Sequence, residues 1–155
     1  MAQERTLVIL KPDAVNRGLL GRLVSSFEQK GLKVAGMKMI GMTDALCNEH
    51  YSHLASKPFF PNLKKFMMSS PVVCMVLEGA DCVEVARKLC GATNGRIADV
   101  GTIRGNFSMS TQCNLVHASD SKETAVKEIT RFFTDTEIFE YKLALENNIY
   151  SPDGA

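Results

Sequence analysis

Residues 114–121 contain the side chains whose types and order most clearly suggest chemistry. His117 stands at the end of a short apolar run, and the helix-starting residues Ser119, Asp120 and Ser121 follow at once. This order predicts an imidazole at an exposed strand end, beside backbone N–H groups suited to phosphate. A neutral imidazole has a lone pair at pH 7. The pattern therefore favours a histidine that carries a phosphoryl group over a surface or core histidine without a role.

Two charged residues could assist such a histidine. Glu128 lies in the next predicted helix, which would pack back on the sheet and bring its carboxylate to one nitrogen of His117. A carboxylate there fixes the ring tautomer and stabilises a cationic phosphohistidine. Lys11 follows the first predicted strand, where it could reach a phosphate as a point charge. The alternative for Lys11, which its own sequence context slightly favours, is a solvated charge beside a strand.

Further candidates are spread along the chain. Arg87, in a predicted helix, and Arg104, in a long loop, could together supply guanidinium donors for phosphate oxygens, although each alone reads as a surface charge. Thr93 and Asn114 could donate hydrogen bonds to a sugar or a phosphate. The sequence has neither the GxxxxGK[ST] nor the GxGxxG loop, so nucleotide binding would have to use other means.

Two aromatic residues and two histidines suggest other contacts. Phe59 and Phe60 stand between prolines, which stiffen the segment, so Phe59 could stack on a base while Phe60 anchors a helix hairpin. His50 and His53 have a spacing found in helical metal sites. No third ligand is evident, so a polar helix face is the preferred interpretation of this pair.

The elements that must position these residues alternate between strands and helices. Strands are predicted at 6–10, 32–42 with a bulge near Gly36, 71–78 and 112–116. Helices are predicted near 20–30, 43–56, 63–69, 81–90 and after residue 119. Asp81 with Glu84 resembles a capping box, Asp120 or Ser119 would cap the last helix, and residues 92–111 would form a long loop. Apolar positions 125, 126, 129, 132 and 133 would form the inner face of the last helix, and methionines 37, 39, 42, 67 and 68 would fill the core.

This order of elements predicts an α+β fold of the split βαβ type. A ferredoxin-like βαββαβ arrangement has a four-stranded antiparallel sheet covered by helices. The 155 residues suit a single domain, 1–155, and 45% hydrophobic residues suffice for a core. A net charge of +1 argues against nucleic acid or a membrane as the main partner. Five cysteines without paired spacing and no signal peptide favour the cytoplasm.

The sequence resembles the nucleoside diphosphate kinases over roughly residues 4 to 150. The resemblance lies in an ordered set of motifs: 5–13, 27–31, 50–51, 57–61, 70–73, 91–94, 101–105 and 114–121. It implies ping-pong transfer of the γ-phosphate of a nucleoside triphosphate to His117 and then to a nucleoside diphosphate. It also implies Mg²⁺ held through the nucleotide phosphates rather than by protein side chains.

Site roles follow from the same resemblance, residue by residue. Lys11, Arg87, Arg104 and Thr93 match phosphate contacts, and Lys11 and Asn114 match contacts to the ribose. Phe59 matches the base-stacking residue and Tyr51 a residue near the transferred phosphate. Glu128 matches the partner of His117, and Ser119 a hydroxyl in the same network.

The resemblance also implies a homo-oligomer, either a hexamer or a tetramer, and we expect a hexamer from the length and the C-terminal tail. Some positions depart from the family pattern. Gly95 and Val100 replace prolines in roughly residues 93–104, which match a family loop that packs against neighbouring subunits. Asn106 replaces an aspartate and Ala118 replaces a glycine. Residues 111–113, Thr-Gln-Cys, replace a hydrophobic-Gly-Arg sequence and could change the edge of the base pocket.

Two functions of other classes compete with the enzyme. The fold could serve as the scaffold of a regulatory or nucleic-acid-binding protein, because fold alone does not determine function. The chain could also be a nucleotide-dependent structural oligomer with slow turnover. The near-neutral charge disfavours the first alternative, and tight nucleotide binding with little phosphate exchange would indicate the second.

Overall fold

Four antiparallel strands form one sheet at the centre of the molecule. The computed structural model describes residues 3–144 and 146–150. Its strands are β1 (Gln3–Leu10), β2 (Lys33–Ile40), β3 (Val72–Ala80) and β4 (Val116–Ala118), in the spatial order β2-β3-β1-β4. β1 pairs with β3 on one side and with β4 on the other, so that Ile9 lies opposite both Cys74 and His117. This arrangement confirms the predicted α+β, ferredoxin-like fold.

Eight α-helices lie along the described part of the chain, and five of them lie where the sequence predicts a helix. They are α1 (Pro12–Asn16), α2 (Leu20–Gln29), α3 (Asp44–His50), α4 (Phe60–Met67), α5 (Cys82–Cys90), α6 (Ile103–Phe107), α7 (Lys122–Phe132) and α8 (Glu146–Ile149). Two short 3₁₀ helices span Ser52–Leu54 and Asp135–Glu137. Within the described residues, no helix has the length and apolar character needed to cross a membrane.

The central strand β1 is buried on both faces because helices cover both sides of the sheet. Val8 and Leu10 belong to one apolar cluster, which also contains residues of α2 and α5. Leu7 and Ile9 belong to a second cluster, which contains residues of α3, α4 and α7. Alternate side chains of a strand point to opposite faces, so an unbroken apolar run is expected at this position. The end of β1 is thereby held rigidly beside β4, where the candidate residues lie.

Several local predictions are confirmed. The register of β2 against β3 shifts between Val34 and Gly36, as a bulge requires. A Cβ atom at Gly36 would lie 2.7 Å from the carbonyl oxygen of Glu137, which accounts for the glycine. Gly31 follows α2 with a φ of +98°, a conformation that favours glycine where a helix ends.

Other predicted boundaries are wrong. The fourth strand is not 112–116 but Val116–Ala118, because Leu115 has a φ of +70° and interrupts the extended chain. The predicted helix 43–56 ends at His50 and continues as a 3₁₀ turn. The loop 92–111 includes a short helix, α6, whose N-cap is Thr102.

The predicted helix caps also need correction. The side chain of Ser121, rather than that of Ser119 or Asp120, accepts the backbone N–H of Thr124 and caps α7. Asp81 precedes α5 in a left-handed conformation, and its side chain makes no capping hydrogen bond.

Part of the predicted core is exposed instead. Met37 and Met39 lie on the edge strand β2 with exposed fractions of 46% and 54%, and Met68 at the end of α4 is also exposed. Met42 and Met67 are buried as predicted, whereas Val126 lies on the outer face of α7. The exposed methionines leave β2 with an apolar outer edge.

Candidate active site

One cavity of about 980 Å³ brings nearly all the predicted site residues together. It opens where the end of β1, the start of β4 and the helices α3, α5 and α7 meet. Every predicted site residue except Ser119 lines it: Lys11, Tyr51, Phe59, Arg87, Thr93, Arg104, Asn114, His117 and Glu128. Residues separated by more than one hundred positions thus face a common space.

His117 is the central residue of the three-residue strand β4, not the exposed strand end that was predicted. Its Nε2 lies 3.1 and 3.0 Å from the two carboxylate oxygens of Glu128, and its side chain is 23% exposed. A carboxylate accepts hydrogen bonds, so this contact places the proton of a neutral imidazole on Nε2. The lone pair then resides on Nδ1, for which the described residues provide no hydrogen-bond partner.

Ser119 lies behind the cavity and fixes the same carboxylate. Its hydroxyl is fully buried and donates to Oε2 of Glu128 at 2.6 Å. Burial alone raises the pKa of Glu128. The hydrogen bond and the attraction from His117, with a further hydrogen bond from Ser119, outweigh burial and lower this pKa to about 2. Glu128 is therefore a carboxylate at neutral pH, held on both oxygens.

His50 is a site residue that its helical spacing did not identify. The preferred interpretation, a polar helix face, is wrong for His50: its side chain is fully buried, whereas His53 is exposed and lines the cavity mouth. Its ring packs edge-on against the ring of His117, with centroids 4.7 Å apart. Burial, reinforced by repulsion from a charged His117, lowers the pKa of His50 to about 3, so this ring is neutral.

His50, His117 and Glu128 lie close enough to hold a metal, with ligand atoms within 4.8 Å of one another. The acceptor nitrogen of His50 and both carboxylate oxygens of Glu128 are already used, however. Nη1 of Arg131 lies 3.3 Å from Nδ1 of His50, and both oxygens of Glu128 contact Nε2 of His117. A cation there would have to displace Arg131 and break the His117 contact. The arrangement is better described as a hydrogen-bonded network that orients His117.

Tyr51 lies beside this network with its hydroxyl unused. It is 6% exposed, its ring packs edge-on against His50, and its hydroxyl has no hydrogen-bond partner among the described residues. Burial raises the pKa of Tyr51, so the hydroxyl remains protonated. It can therefore act as a donor to an oxygen atom brought into the cavity.

Lys11 is buried at the end of β1, so the alternative of a solvated charge is wrong. It is 8% exposed, and its Nζ donates to Oδ1 of Asn114 at 2.6 Å. The amide of Asn114 in turn donates to the carbonyl oxygens of Thr93 and Thr111, which fixes its orientation. Burial, together with repulsion from Arg104, lowers the pKa of Lys11 to about 8.

Arg87 and Arg104 differ in how many hydrogen bonds their guanidinium groups already make within the protein. Arg104 donates to three backbone carbonyls, those of Gly91, Asn114 and Val116. These bonds tie the loop to the start of β4. Arg87 is exposed on α5, and its guanidinium makes no hydrogen bond or ion pair to the described residues. Of the two, Arg87 is the guanidinium that is free to meet a ligand without breaking an existing contact.

The aromatic pair at the start of α4 divides as predicted. Phe59 is 49% exposed and lines the cavity, whereas Phe60 packs against the apolar cluster of α3 and α4. The side chain of Thr93 is exposed and also lines the cavity, as do Thr111 and Gln112. The outer part of the cavity therefore offers a flat ring and polar groups.

Several lining residues were not predicted. Glu49, Thr124, Lys127 and Arg131 contribute to the wall near His117, and Arg131 donates to Glu49 at 2.8 Å. Thr124 and Arg131 lie four positions before and three positions after Glu128 on α7, whereas Glu49 and Lys127 adjoin His50 and Glu128 in sequence. For Thr124 and Arg131 this spacing was the available signal, because residues three or four apart share a helix face.

Comparisons with known proteins place this chain in one family. Residues 4–138 match the family model described as nucleoside diphosphate kinase. A nucleoside diphosphate kinase of Parabacteroides distasonis is 55% identical over 150 residues, which cover 97% of this chain and 98% of that one.

Solved structures of relatives have the same fold. The enzyme of Halobacterium salinarum in complex with CDP superimposes with a TM-score of 0.94 at 41% identity, covering 96% of this chain and 99% of that chain. A transition-state mimic of the Borrelia burgdorferi enzyme with bound vanadate and ADP has a TM-score of 0.89 at 40% identity, covering 94% and 96%. Given the matched family model, the extent of these identities and the shared fold, the chain belongs to the nucleoside diphosphate kinase family.

Proposed function

We propose that this chain transfers the terminal phosphate between nucleotides through a phosphohistidine at His117. The observation that carries the proposal is the pair of contacts between Nε2 of His117 and Glu128, which leaves the Nδ1 lone pair free. Nδ1 attacks the γ-phosphorus, the bond from that phosphorus to the bridging oxygen breaks, and a nucleoside diphosphate leaves. A terminal oxygen of a second diphosphate then attacks the same phosphorus, the N–P bond breaks, and His117 is regenerated.

Glu128 supports both half-reactions. Phosphorylation of Nδ1 while Nε2 keeps its proton leaves a positive charge on the ring, and an adjacent carboxylate stabilises that charge. Ser119 holds the carboxylate in place with its 2.6 Å hydrogen bond. The neutral ring of His50 supports the same placement by contact and brings no competing positive charge to His117.

The positive groups around the cavity suit a polyphosphate. Phosphoryl transfer depends mainly on positioning and on neutralising charge at the phosphate oxygens. Lys11, Arg87 and Arg104 all line the cavity, and Tyr51 adds an unused hydroxyl donor. We assign Lys11, Arg87, Arg104 and Thr93 to the phosphates.

The sugar and the base would occupy the rest of the cavity. Lys11 and Asn114 are our assignments for the ribose hydroxyls. The half-exposed ring of Phe59 offers a stacking surface to any base, because every base has a π-face. Stacking with few hydrogen bonds to base edges would let the enzyme accept several nucleosides.

Mg²⁺ is the cofactor we propose, carried by the nucleotide phosphates. The carboxylates that line the cavity are Glu49, Asp120 and Glu128. Glu49 is hydrogen-bonded to Arg131, and Glu128 is hydrogen-bonded to His117 and Ser119. Of these three carboxylates, only that of Asp120 has no partner among the described residues. Such a donor set fits an ion ligated mainly by phosphate oxygens and water. The ion would neutralise charge on the leaving diphosphate.

We further propose a homo-oligomer, with a hexamer as the expected form. The edge strand β2 exposes Met37 and Met39, and the long loop exposes Ile97, Val100 and Met109 with fractions of 73%, 91% and 80%. Apolar groups at a strand edge and on a loop are typical of surfaces that contact other chains.

The departures in the loop have local explanations that bear on this assembly. The N–H of Gly95 donates to the carbonyl of Ser110 at 3.2 Å, a bond that a proline cannot make. Oδ1 of Asn106 accepts the N–H of Gly101 at 2.9 Å. The loop thus retains internal bonds without its prolines.

All five cysteines are free thiols, which supports the proposal of a cytoplasmic location.

The reaction can be tested by steady-state exchange. Purified chain with ATP, Mg²⁺ and CDP should produce CTP, and initial rates at several fixed CDP concentrations should give parallel double-reciprocal lines, as ping-pong kinetics require. Intersecting lines would indicate direct transfer between two bound nucleotides and would contradict the covalent step. Tight nucleotide binding without CTP formation would support a structural oligomer instead.

A further inference from the structure

A strained turn immediately precedes the strand that carries His117. Leu115 has a φ of +70°, and the N–H of Val116 donates to the carbonyl of Asn114 at 2.8 Å. A bond from residue i+2 to residue i around a positive φ defines the rarer, strained form of γ-turn. Leucine disfavours this conformation because its Cβ crowds the backbone. Such a turn persists only where the surrounding structure holds it.

The turn joins the two halves of the candidate site. On one side Asn114 binds Nζ of Lys11, and on the other Val116 leads directly to His117. Leu115 itself is fully buried, so its side chain anchors the turn in the core. A change in the backbone angles of Leu115 would therefore move Asn114 and His117 relative to each other.

Neighbouring groups hold the turn from several directions. The carbonyl of Leu115 accepts the backbone N–H of Lys11 at 2.8 Å, and Arg104 donates to the carbonyls of Asn114 and Val116. The N–H of Leu115 donates to Oδ2 of Asp13 at 3.0 Å. The carboxylate of Asp13, 102 positions away in sequence, is thus the hydrogen-bond acceptor for the backbone N–H at the centre of the turn.

The other oxygen of Asp13 supports a specific role for this carboxylate. Oδ1 is buried and has no hydrogen-bond partner among the described residues. Burying a carboxylate oxygen without a hydrogen-bond partner destabilises the folded state. The presence of Asp13 at this position therefore points to a role for its other oxygen. Its negative charge also raises the pKa of Lys11, against the stronger effects of burial and Arg104, with smaller contributions from Cys113 and Cys90.

We infer that Asp13 is a positioning residue for phosphoryl transfer: by accepting the N–H of Leu115 it holds the strained turn that sets Asn114 and His117 in their working positions. This inference rests on the proposed function. It assigns Asp13 no contact with substrate. Its effect is carried by the backbone of Leu115, so a substitution that keeps an oxygen acceptor should keep the effect.

Three variants separate this role from general stability and from charge. Asp13→Ala removes the acceptor, whereas Asp13→Asn keeps an amide oxygen for the N–H of Leu115 and removes the charge. Asp135→Ala is a matched control, because Asp135 is an exposed aspartate in the first turn of another short helix. The rate of labelling by γ-³²P-ATP is measured in a single turnover at pH 6.5, where Lys11 is protonated.

The expected result is a labelling rate at least 10-fold below wild type for Asp13→Ala, and within about threefold of wild type for Asp13→Asn and Asp135→Ala. Equal losses in Asp13→Ala and Asp13→Asn would overturn the inference, because they would assign the effect to charge. A wild-type rate in Asp13→Ala would overturn it as well. If wild type itself is never labelled, the proposed function fails, which is a different outcome.

A double-mutant cycle keeps the test decisive if Asp13→Ala is poorly folded. Glycine adopts positive φ without strain, so in a Leu115→Gly background the turn no longer depends on Asp13. The inference predicts that Asp13→Ala costs at least threefold less labelling rate in Leu115→Gly than in wild type, with rates normalised to the folded fraction measured by circular dichroism. An equal cost in both backgrounds would contradict a role exerted through Leu115.

Discussion

Glu128 meets His117 with both carboxylate oxygens, 3.1 and 3.0 Å from Nε2. Replacing Glu128 by Gln keeps an acceptor for the ring N–H but removes the charge that would stabilise a phosphorylated ring. We expect kcat to fall by about 10- to 100-fold, by analogy with the range typical of losing the carboxylate behind a metal-binding histidine. KM for ATP should change little, because Glu128 has no assigned contact with nucleotide. A larger effect on KM than on kcat would place Glu128 in binding instead.

The charge of Lys11 predicts a pH limit on catalysis. Its pKa of about 8 in the free enzyme means that it loses its proton as pH rises through 8, so kcat/KM should decline above that pH. Lys11→Gln should lower kcat/KM at pH 7 by about 10- to 100-fold, as loss of a charged hydrogen bond predicts. The same substitution should abolish the alkaline decline. If the decline persists in Lys11→Gln, another group controls it.

The aromatic pair predicts a clean division between binding and stability. Phe59→Ala should raise KM for nucleotide about 10-fold or more with a small change in kcat, because base stacking contributes about 1–3 kcal/mol. Phe60→Ala should leave KM near its wild-type value and lower the free energy of unfolding by up to about 3 kcal/mol, since its ring is only partly buried. The opposite pattern would exchange the roles of the two rings. Steady-state kinetics and urea unfolding measure both effects.

Buried His50 predicts a loss of stability in mild acid. Its folded pKa of about 3 lies below the ordinary value of 6.5, so unfolding takes up a proton between these pH values. The free energy of unfolding should therefore fall as pH drops from 6.5 towards 3, by about 1.4 kcal/mol per pH unit for this group. His50→Phe should remove that slope between about pH 6.5 and 5.5, above the range where Glu128 begins to titrate in the unfolded chain. His53→Phe, at an exposed position, is the control and should retain the slope.

Much of this site could be predicted from sequence because its key residues flank strongly periodic segments. The apolar run of β1 and the stripe of α7 predicted that Lys11 and Glu128 would face the end of the sheet. The structure agrees on the proximity of His117 and Glu128. For His117 and Glu128, the local sequence pattern and the observed contact therefore indicate the same pairing.

The remaining features depend on tertiary contacts that no local pattern contains. The turn at Leu115 lies inside a run that reads as a strand, and bonds from Asp13 and Arg104, distant in sequence, hold it. Lys11 is buried beside Asn114, which is 103 positions away in sequence, so no local pattern predicts its lowered pKa. The sequence of α3 favours a polar face for His50 because polar residues flank its buried positions.

The most direct test of the account is the chemical identity of the phosphorylated residue. Brief incubation with γ-³²P-ATP and Mg²⁺ should label the chain, and the label should be lost in acid, survive base and transfer to added CDP. His117→Ala should acquire no label, while His53→Ala should be labelled like wild type. Label on His117→Ala, or no label on folded wild type under conditions of CTP formation, would contradict transfer through His117.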